Sequence, residues 1–97
     1  MELPERDGDG YLLDIGDWTP EVGHEMARLD GFEMTEQKWE QILAARDYFE
    51  EKQTVPPIRK FASAIGSSTE ELYAIWQSGP MKIITKYGGL PKPTGCV

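Results

Sequence analysis

Cys96 is the side chain best suited to covalent chemistry, because it is the only cysteine among 97 residues and stands next to the C-terminus. The segment 90–97 around it combines Pro91 and Pro93, which favour extended backbone, with Gly95 beside the thiol. Six residue steps of about 3.1 to 3.3 Å let such a segment carry its cysteine through roughly 20 Å. This composition predicts an arm that presents a thiol to another molecule. The alternative is a disordered terminus with an incidental cysteine.

The reactivity of this thiol depends on its ionisation, since the thiolate is the nucleophile and an ordinary cysteine pKa is about 8.5. The terminal carboxylate of Val97 should raise that pKa. Lys92, Lys86 or Arg59 would lower it if the arm folds back onto them. A persulfide is a stronger acid than a thiol, so a sulfur-loaded cysteine would be ionised more readily. A single cysteine also excludes an internal disulfide, which is compatible with a reducing cytoplasm.

The other residues that could form a catalytic or metal-binding site give only weak signals in the sequence. His24 is the only histidine, and its predicted helix places it among Glu21 and Glu25, so we expect a solvated surface residue. An acidic cluster near the N-terminus lacks the central glycine and terminal glutamate of a calcium loop, so we expect no metal site at Asp7, Asp9, Asp14 and Asp17. Without a glycine-rich phosphate loop or a Ser-His-Asp set, we expect no cofactor and no stand-alone turnover enzyme.

The charge distribution limits the possible partners. The chain has 17 acids and 10 bases, a net charge of -7, which disfavours direct binding to nucleic acid or to an anionic membrane. Residues 1–51 carry fifteen acids and four bases, whereas residues 52–97 carry two acids and six bases, so an anionic partner would bind the C-terminal half. No apolar run reaches the roughly 20 residues of a membrane span, and the N-terminus is acidic, so we expect a cytoplasmic protein.

Helix caps and apolar spacing predict the elements that must position the thiol. Four helices are expected to start at Thr19-Pro20, Thr35, Pro56-Pro57 and Ser68, and to end near Gly31, Gln53, Gly66 and Gly79. A fifth, short helix is expected over residues 81–87. Residues 7–10 should form a turn and residues 11–15 a short strand, which predicts a small N-terminal hairpin. The helices at 57–76 imitate a helix-turn-helix, but the second one begins with Glu70 and Glu71, which would repel phosphates.

Several segments resemble the DsrC/TusE family of sulfur-carrier proteins. They are Gly-Leu-Pro-Lys-Pro-Thr-Gly-Cys-Val at 89–97, Pro-Pro-Ile-Arg-Lys at 56–60, Trp39, and Gly-Tyr-Leu at 10–12. The resemblance implies a mainly α fold, a small orthogonal bundle of about five helices with an N-terminal β-hairpin and a flexible C-terminal arm. We therefore expect a helical domain at residues 1–87 and a mobile arm at residues 88–97, with a hinge at Gly88-Gly89.

The same resemblance implies that Cys96 carries sulfur as a persulfide, as a sulfurtransferase-type carrier. Arg59, which matches the family's Pro-x-x-Arg segment, and Lys92 are candidates to attract the sulfur anion and orient the tail, and Pro93 and Gly95 belong to the arm that delivers it. The implied partners are a sulfur-donor protein complex and an acceptor enzyme, both reached through the arm.

Thr85 decides between two types within this family. The DsrC type, which serves dissimilatory sulfite reductase, has a second arm cysteine at this position, so the chain resembles the one-cysteine type, of which TusE in tRNA 2-thiouridine synthesis is the best-known member. One thiol can accept and donate sulfane sulfur but cannot close an internal disulfide. The link at 65–69 is shorter than is usual in the family. The alternatives are a DsrC-like protein of dissimilatory sulfur metabolism and a non-catalytic regulatory or DNA-binding helical module.

Overall fold

The computed structural model describes residues 2–77 and 79–93. Its helices are α1 (Pro20–Leu29), α2 (Glu36–Lys52), α3 (Ile58–Ala64), α4 (Thr69–Trp76) and α5 (Pro80–Tyr87), preceded by a 3-10 turn at Ile15–Asp17. The prediction of a mainly α fold with five helices is confirmed. No helix in the described part of the chain is long and apolar enough to cross a membrane.

Side-chain caps fix where three of these helices begin. The hydroxyls of Thr19, Thr35 and Ser68 each accept a hydrogen bond from the backbone N–H three residues further on. Such a cap stabilises a helix by about 1 kcal/mol. Helix α5 begins differently, with Gly79 at φ 58° followed by Pro80 at the first helical position. These short polar signals are why the helix starts could be predicted from the sequence.

The predicted N-terminal β-hairpin is wrong. Within residues 2–77 and 79–93 there is no strand, only one isolated antiparallel bridge between Arg6 and Leu12. Beyond Leu12 the chain enters the 3-10 turn, and Leu13 and Ile15 are exposed rather than alternating into a core. A ribbon this short is marginal in water, so the chain follows the turn that the carboxylate of Asp14 caps.

Helix α5 lies at the centre of the bundle and packs against α1, α2 and α4. Its inward side buries Met81, Ile84 and Thr85 completely. They join a core whose largest fully buried apolar side chains also include Phe61, Met26, Ile42 and Leu72. Burying one such side chain contributes about 1.5–3 kcal/mol. Because α5 is fixed on three sides, it is a rigid support for whatever follows its C-terminus.

Candidate functional site

The chain leaves α5 through a buried turn, which we call the arm root (residues 88–90). Gly89 has φ 63°, and the N–H of Leu90 donates to the carbonyl of Thr85 at 3.0 Å, the hydrogen bond of a Schellman cap. Leu90 is only 3% exposed. The glycines expected to act as a hinge are therefore packed against the body, and the chain becomes exposed at Pro91.

Trp18 and Arg46 hold the arm root by its backbone. The indole Nε1 of Trp18 donates to the carbonyl of Tyr87 at 2.7 Å, and the guanidinium of Arg46 donates to the carbonyl of Gly88. Arg46 also lies over the Trp18 ring, 3.8 Å from its centroid, and desolvation by burial lowers its pKa. A Cβ on Gly89 would lie 2.4 Å from the Trp18 ring, so only glycine fits there.

Beyond the arm root, Lys92 is held by the N-terminal turn. Its Nζ lies 2.8 Å from Asp9 Oδ2 and 3.1 Å from Asp7 Oδ2, and 5.6 Å from the centre of the Tyr11 ring. The hydrogen bonds to Asp9 and then Asp7 raise the pKa of the Lys92 ammonium, which is thus charged and engaged at neutral pH. The last described part of the arm therefore crosses this turn.

An open cleft of about 660 Å³ lies between this turn, one side of α5, Tyr73 of α4 and the arm. We call it the lysine cleft; it is lined by Asp9, Tyr11, Tyr73, Gly79, Lys82, Ile83, Lys86, Lys92 and Pro93. Lys82 and Lys86 are four residues apart in α5 and so share one face of that helix. Pro93, the last described residue, lies in the lining.

Tyr11, which lines the cleft, is hydrogen-bonded to Thr85 in the core. The Thr85 hydroxyl donates to the carbonyl of Met81 at 2.6 Å and lies 2.9 Å from the Tyr11 hydroxyl, which also contacts the carbonyl of Lys82 at 2.9 Å. Burial raises the pKa of the Tyr11 hydroxyl, so it stays neutral at physiological pH. Thr85 is therefore a fully buried side chain whose hydroxyl is hydrogen-bonded.

Comparison with known proteins shows to which family this chain belongs. The model of the family described as "DsrC like protein" matches residues 2–97. The chain belongs to the DsrC family. A "Sulfurtransferase TusE homolog" from Haemophilus influenzae is 35% identical over 100 residues, with 96% of this chain and 92% of that protein covered.

Two solved structures of the DsrC family show the same fold. DsrC from Allochromatium vinosum, solved by NMR, is 40% identical with a TM-score of 0.80, with 94% of this chain and 88% of that chain covered. The oxidised gamma-subunit of the dissimilatory sulfite reductase (DsrC) from Archaeoglobus fulgidus is 32% identical with a TM-score of 0.77, with 97% and 92% covered. The resemblance inferred from the sequence is confirmed.

The structure brings together only some of the residues predicted for this DsrC-family site. Lys92 and Pro93 line the lysine cleft. Arg59 is exposed on the first turn of α3 and is not part of the cleft lining. Cys96 and Gly95 lie outside the described residues, so their predicted roles stay predictions.

Two groups of cleft residues were missed from the sequence. The tyrosines Tyr11 and Tyr73 were assigned only to a strand and to an apolar helix face. Lys82 was not singled out, although its spacing of four from Lys86 in the basic half of the chain was visible. Pairing these lysines with Tyr11 requires the fold, because about seventy residues separate them in sequence.

The remaining candidates do not form a second centre among residues 2–77 and 79–93. No group of three or more His, Cys, Asp or Glu side chains in this part of the chain is placed to hold a metal ion. His24 is exposed, and its ring stacks on Trp39 with centroids 3.9 Å apart.

Proposed function

We propose that this DsrC-family protein is a sulfur carrier that accepts sulfane sulfur on Cys96 and passes it from a donor protein to an acceptor enzyme. The observation that supports this most directly is the position of Pro93 in the lysine cleft, three residues before the only thiol of the chain. The relatives named sulfurtransferase and the subunit of dissimilatory sulfite reductase support the same class of function. Its natural setting is the cytoplasm, where reducing conditions keep a single thiol free.

The chemical step is transpersulfidation. The Cys96 thiolate attacks the outer sulfur of the donor's persulfide, and a new S–S bond forms on Cys96. The S–S bond of the donor breaks, and the donor leaves as a thiolate. The transferred sulfur keeps its proton or loses it to water. No oxidant or reductant is consumed, because one S–S bond forms as another breaks. In the second step an acceptor thiolate attacks the outer sulfur on Cys96 in the same way.

Lys82 and Lys86 are the cations that we propose for the sulfur anion. Three residues beyond Pro93 span about 10 Å, which is enough for Cys96 to reach along the cleft. Neither lysine forms an ion pair with another residue in the described part of the chain, whereas Lys92 is occupied by Asp7 and Asp9. The proposed role of Arg59 in orienting the tail stays a prediction.

The buried Thr85 hydroxyl favours the TusE type over the DsrC type of function. A carrier with no second thiol at this position cannot resolve its own persulfide into an internal disulfide or trisulfide. The sulfur must therefore leave by attack from another molecule. We propose a relay of the TusE type, with tRNA 2-thiouridine synthesis as the process it serves, rather than dissimilatory sulfite reduction.

A two-step labelling experiment tests the relay. The protein is incubated with a cysteine desulfurase and cysteine carrying radiolabelled sulfur, separated from the donor, and then mixed with excess glutathione as the acceptor thiol. We expect label to bind the wild-type chain and to leave it when the thiol is added, while Cys96→Ser stays unlabelled. Label that never binds, or that stays bound after the thiol is added, would overturn the relay.

A further inference from the structure

We propose that Asp7 and Asp9 are positioning residues for the sulfur-carrying arm: they hold Lys92 so that the chain leading to Cys96 starts from the lysine cleft. This inference rests on the proposed function, because it assigns a role in delivering the reactive residue. It concerns residues at the opposite end of the sequence, more than eighty positions before Lys92.

One ammonium meets two carboxylates at this contact. Lys92 Nζ lies 2.8 Å from Asp9 Oδ2 and 3.1 Å from Asp7 Oδ2. The Asp7 side chain is 29% exposed and that of Lys92 51%. A pair so exposed is weak on its own, and it is screened by salt. Two acceptors on one donor nevertheless restrain the direction of the Lys92 side chain more than a single pair would.

The turn that supplies these carboxylates is itself fixed. Asp7 uses its two oxygens differently: Oδ1 accepts the N–H of Asp9 at 2.9 Å and of Tyr11 at 3.1 Å, and Oδ2 contacts Lys92. The backbone N–H of Asp7 also donates to the carbonyl of Tyr11 at 2.7 Å. The Asp7 carboxylate therefore belongs to a closed turn before it meets the arm.

A second network joins the same turn to the end of α5. The guanidinium of Arg6 donates twice to the carboxylate of Asp30, at 3.1 Å each, and the hydroxyl of Tyr87 donates to Asp30 at 2.9 Å. Tyr87 is the last residue of α5, directly before the arm root. The carboxylates that hold Lys92 are thus fixed relative to the point where the arm begins.

Holding Lys92 shortens the free part of the arm. From Leu90 the thiol of Cys96 could travel roughly 20 Å, but from a held Lys92 it could travel only about 13 Å. The volume that Cys96 searches falls about threefold, because it scales with the cube of this reach. The held state also engages the charge of Lys92, which leaves Lys82 and Lys86 as the cleft cations available to sulfur.

The single cysteine makes this testable without removing any other thiol. A nitroxide label on Cys96 should broaden the backbone NMR signals of Tyr11 and Ile83, which line the cleft. Asp9→Asn removes one of the two carboxylates that contact Lys92, so at low salt we expect less broadening, up to the limit of about threefold that full release of Lys92 would give. Salt at 1 M, where the screening length is about 3 Å, should do the same to the wild-type chain.

Two further variants separate pairing from general charge effects. Asp17→Asn removes an exposed carboxylate that makes no described contact with the arm, and it should leave the broadening unchanged. Exchanging the charges with Asp9→Lys and Lys92→Glu together should restore part of the broadening that either change alone removes, because Asp7 would still repel the new carboxylate at position 92. Equal broadening in wild type and Asp9→Asn, or equal loss in Asp17→Asn, would overturn the proposal.

The readout is independent of sulfur chemistry. If Asp9→Asn lowers the broadening but Cys96 never takes up sulfur, the positioning role stands and the carrier function fails. If Cys96 takes up sulfur and Asp9→Asn leaves the broadening unchanged, the carrier function stands and the positioning role fails.

Discussion

The three lysines that line the cleft differ in whether their ammonium groups are paired with carboxylates. They are Lys82, Lys86 and Lys92. Lys92 has its charge satisfied by two carboxylates, whereas the two lysines of α5 line the same cleft without a carboxylate partner among the described residues. From the sequence, Arg59 and Lys92 were the candidates to attract the sulfur anion and orient the tail. We propose Lys82 and Lys86 for that role, because their charges are not engaged by a carboxylate among the described residues.

Replacing Lys82 or Lys86 should therefore slow sulfur loading. We expect Lys82→Gln and Lys86→Gln each to lower the rate at which Cys96 takes sulfur from glutathione persulfide by about twofold to fivefold, the range of one exposed ionic contact. Quenched-flow sampling with intact mass measurement gives this rate.

Lys60→Gln is the matched control, since it removes an exposed lysine on α3, away from the cleft. Arg59→Gln tests the role predicted from the family motif in the same assay. Equal rates in all four variants and the wild type would show that cleft charge does not guide the reaction.

The elements matter because they fix the arm root. Helix α5 ends in a turn whose backbone carbonyls accept hydrogen bonds from Trp18 and Arg46. Gly89 lies so close to the Trp18 ring that a Cβ at this position would overlap it. Motion of the arm should therefore begin after Leu90 and not at the pair of glycines. We propose this as the boundary between body and arm.

Gly89→Ala should destabilise the fold more than an ordinary glycine substitution at positive φ. The left-handed backbone alone costs about 1–2 kcal/mol, and the methyl group would in addition overlap the Trp18 ring. We expect a total loss of at least about 2 kcal/mol in the free energy of unfolding, measured by urea denaturation.

Gly31 provides the comparison. It has φ 70°, but a Cβ there would meet nothing within 4 Å, so Gly31→Ala should show the backbone cost without the overlap. Similar losses for the two variants would mean that the contact with Trp18 does not restrain the arm root.

At the scale of the whole molecule, the bundle could be predicted from the sequence more fully than the site. Helix starts follow from local caps such as Thr19 and Ser68, which act within three residues. The hairpin prediction was wrong because an Asp-Gly turn does not by itself produce a β-hairpin. The two flanking segments must also pair with each other and bury one face of the ribbon against a core. Tyr11, which lines the cleft, contacts Thr85 across 74 positions of sequence, and no local pattern encodes such a contact.

The free energy of unfolding should fall at acid pH, in part because Asp30 becomes protonated. The hydrogen bonds from Arg6 and then from Tyr87 lower the pKa of Asp30, with desolvation opposing them. A depressed folded-state pKa adds stability above the unfolded value of about 3.9, and this is lost as pH falls through the lower folded value. Asp30→Asn should therefore flatten the acid limb of a plot of urea midpoint against pH.

Asp17→Asn is the control for that plot, since its carboxylate is exposed and should leave the acid limb steep. At alkaline pH, Tyr87 makes the stability fall as pH rises. Burial, and then the hydrogen bond to Asp30, raise the pKa of the Tyr87 hydroxyl above its unfolded value of about 10. Its contribution to stability is therefore present below pH of about 10 and is lost as pH rises above it. An acid limb equally steep in Asp30→Asn and wild type would contradict the role of this network.

Intact-protein mass spectrometry decides whether Cys96 carries sulfur. The reduced protein is incubated with glutathione persulfide, the reagent is removed, and the mass is measured before and after dithiothreitol. We expect the wild-type chain to gain the mass of one sulfur atom and to lose it on reduction, whereas Cys96→Ser should gain none. A wild-type chain that gains no sulfur, or a serine variant that gains as much, would contradict the proposed sulfur-carrier function.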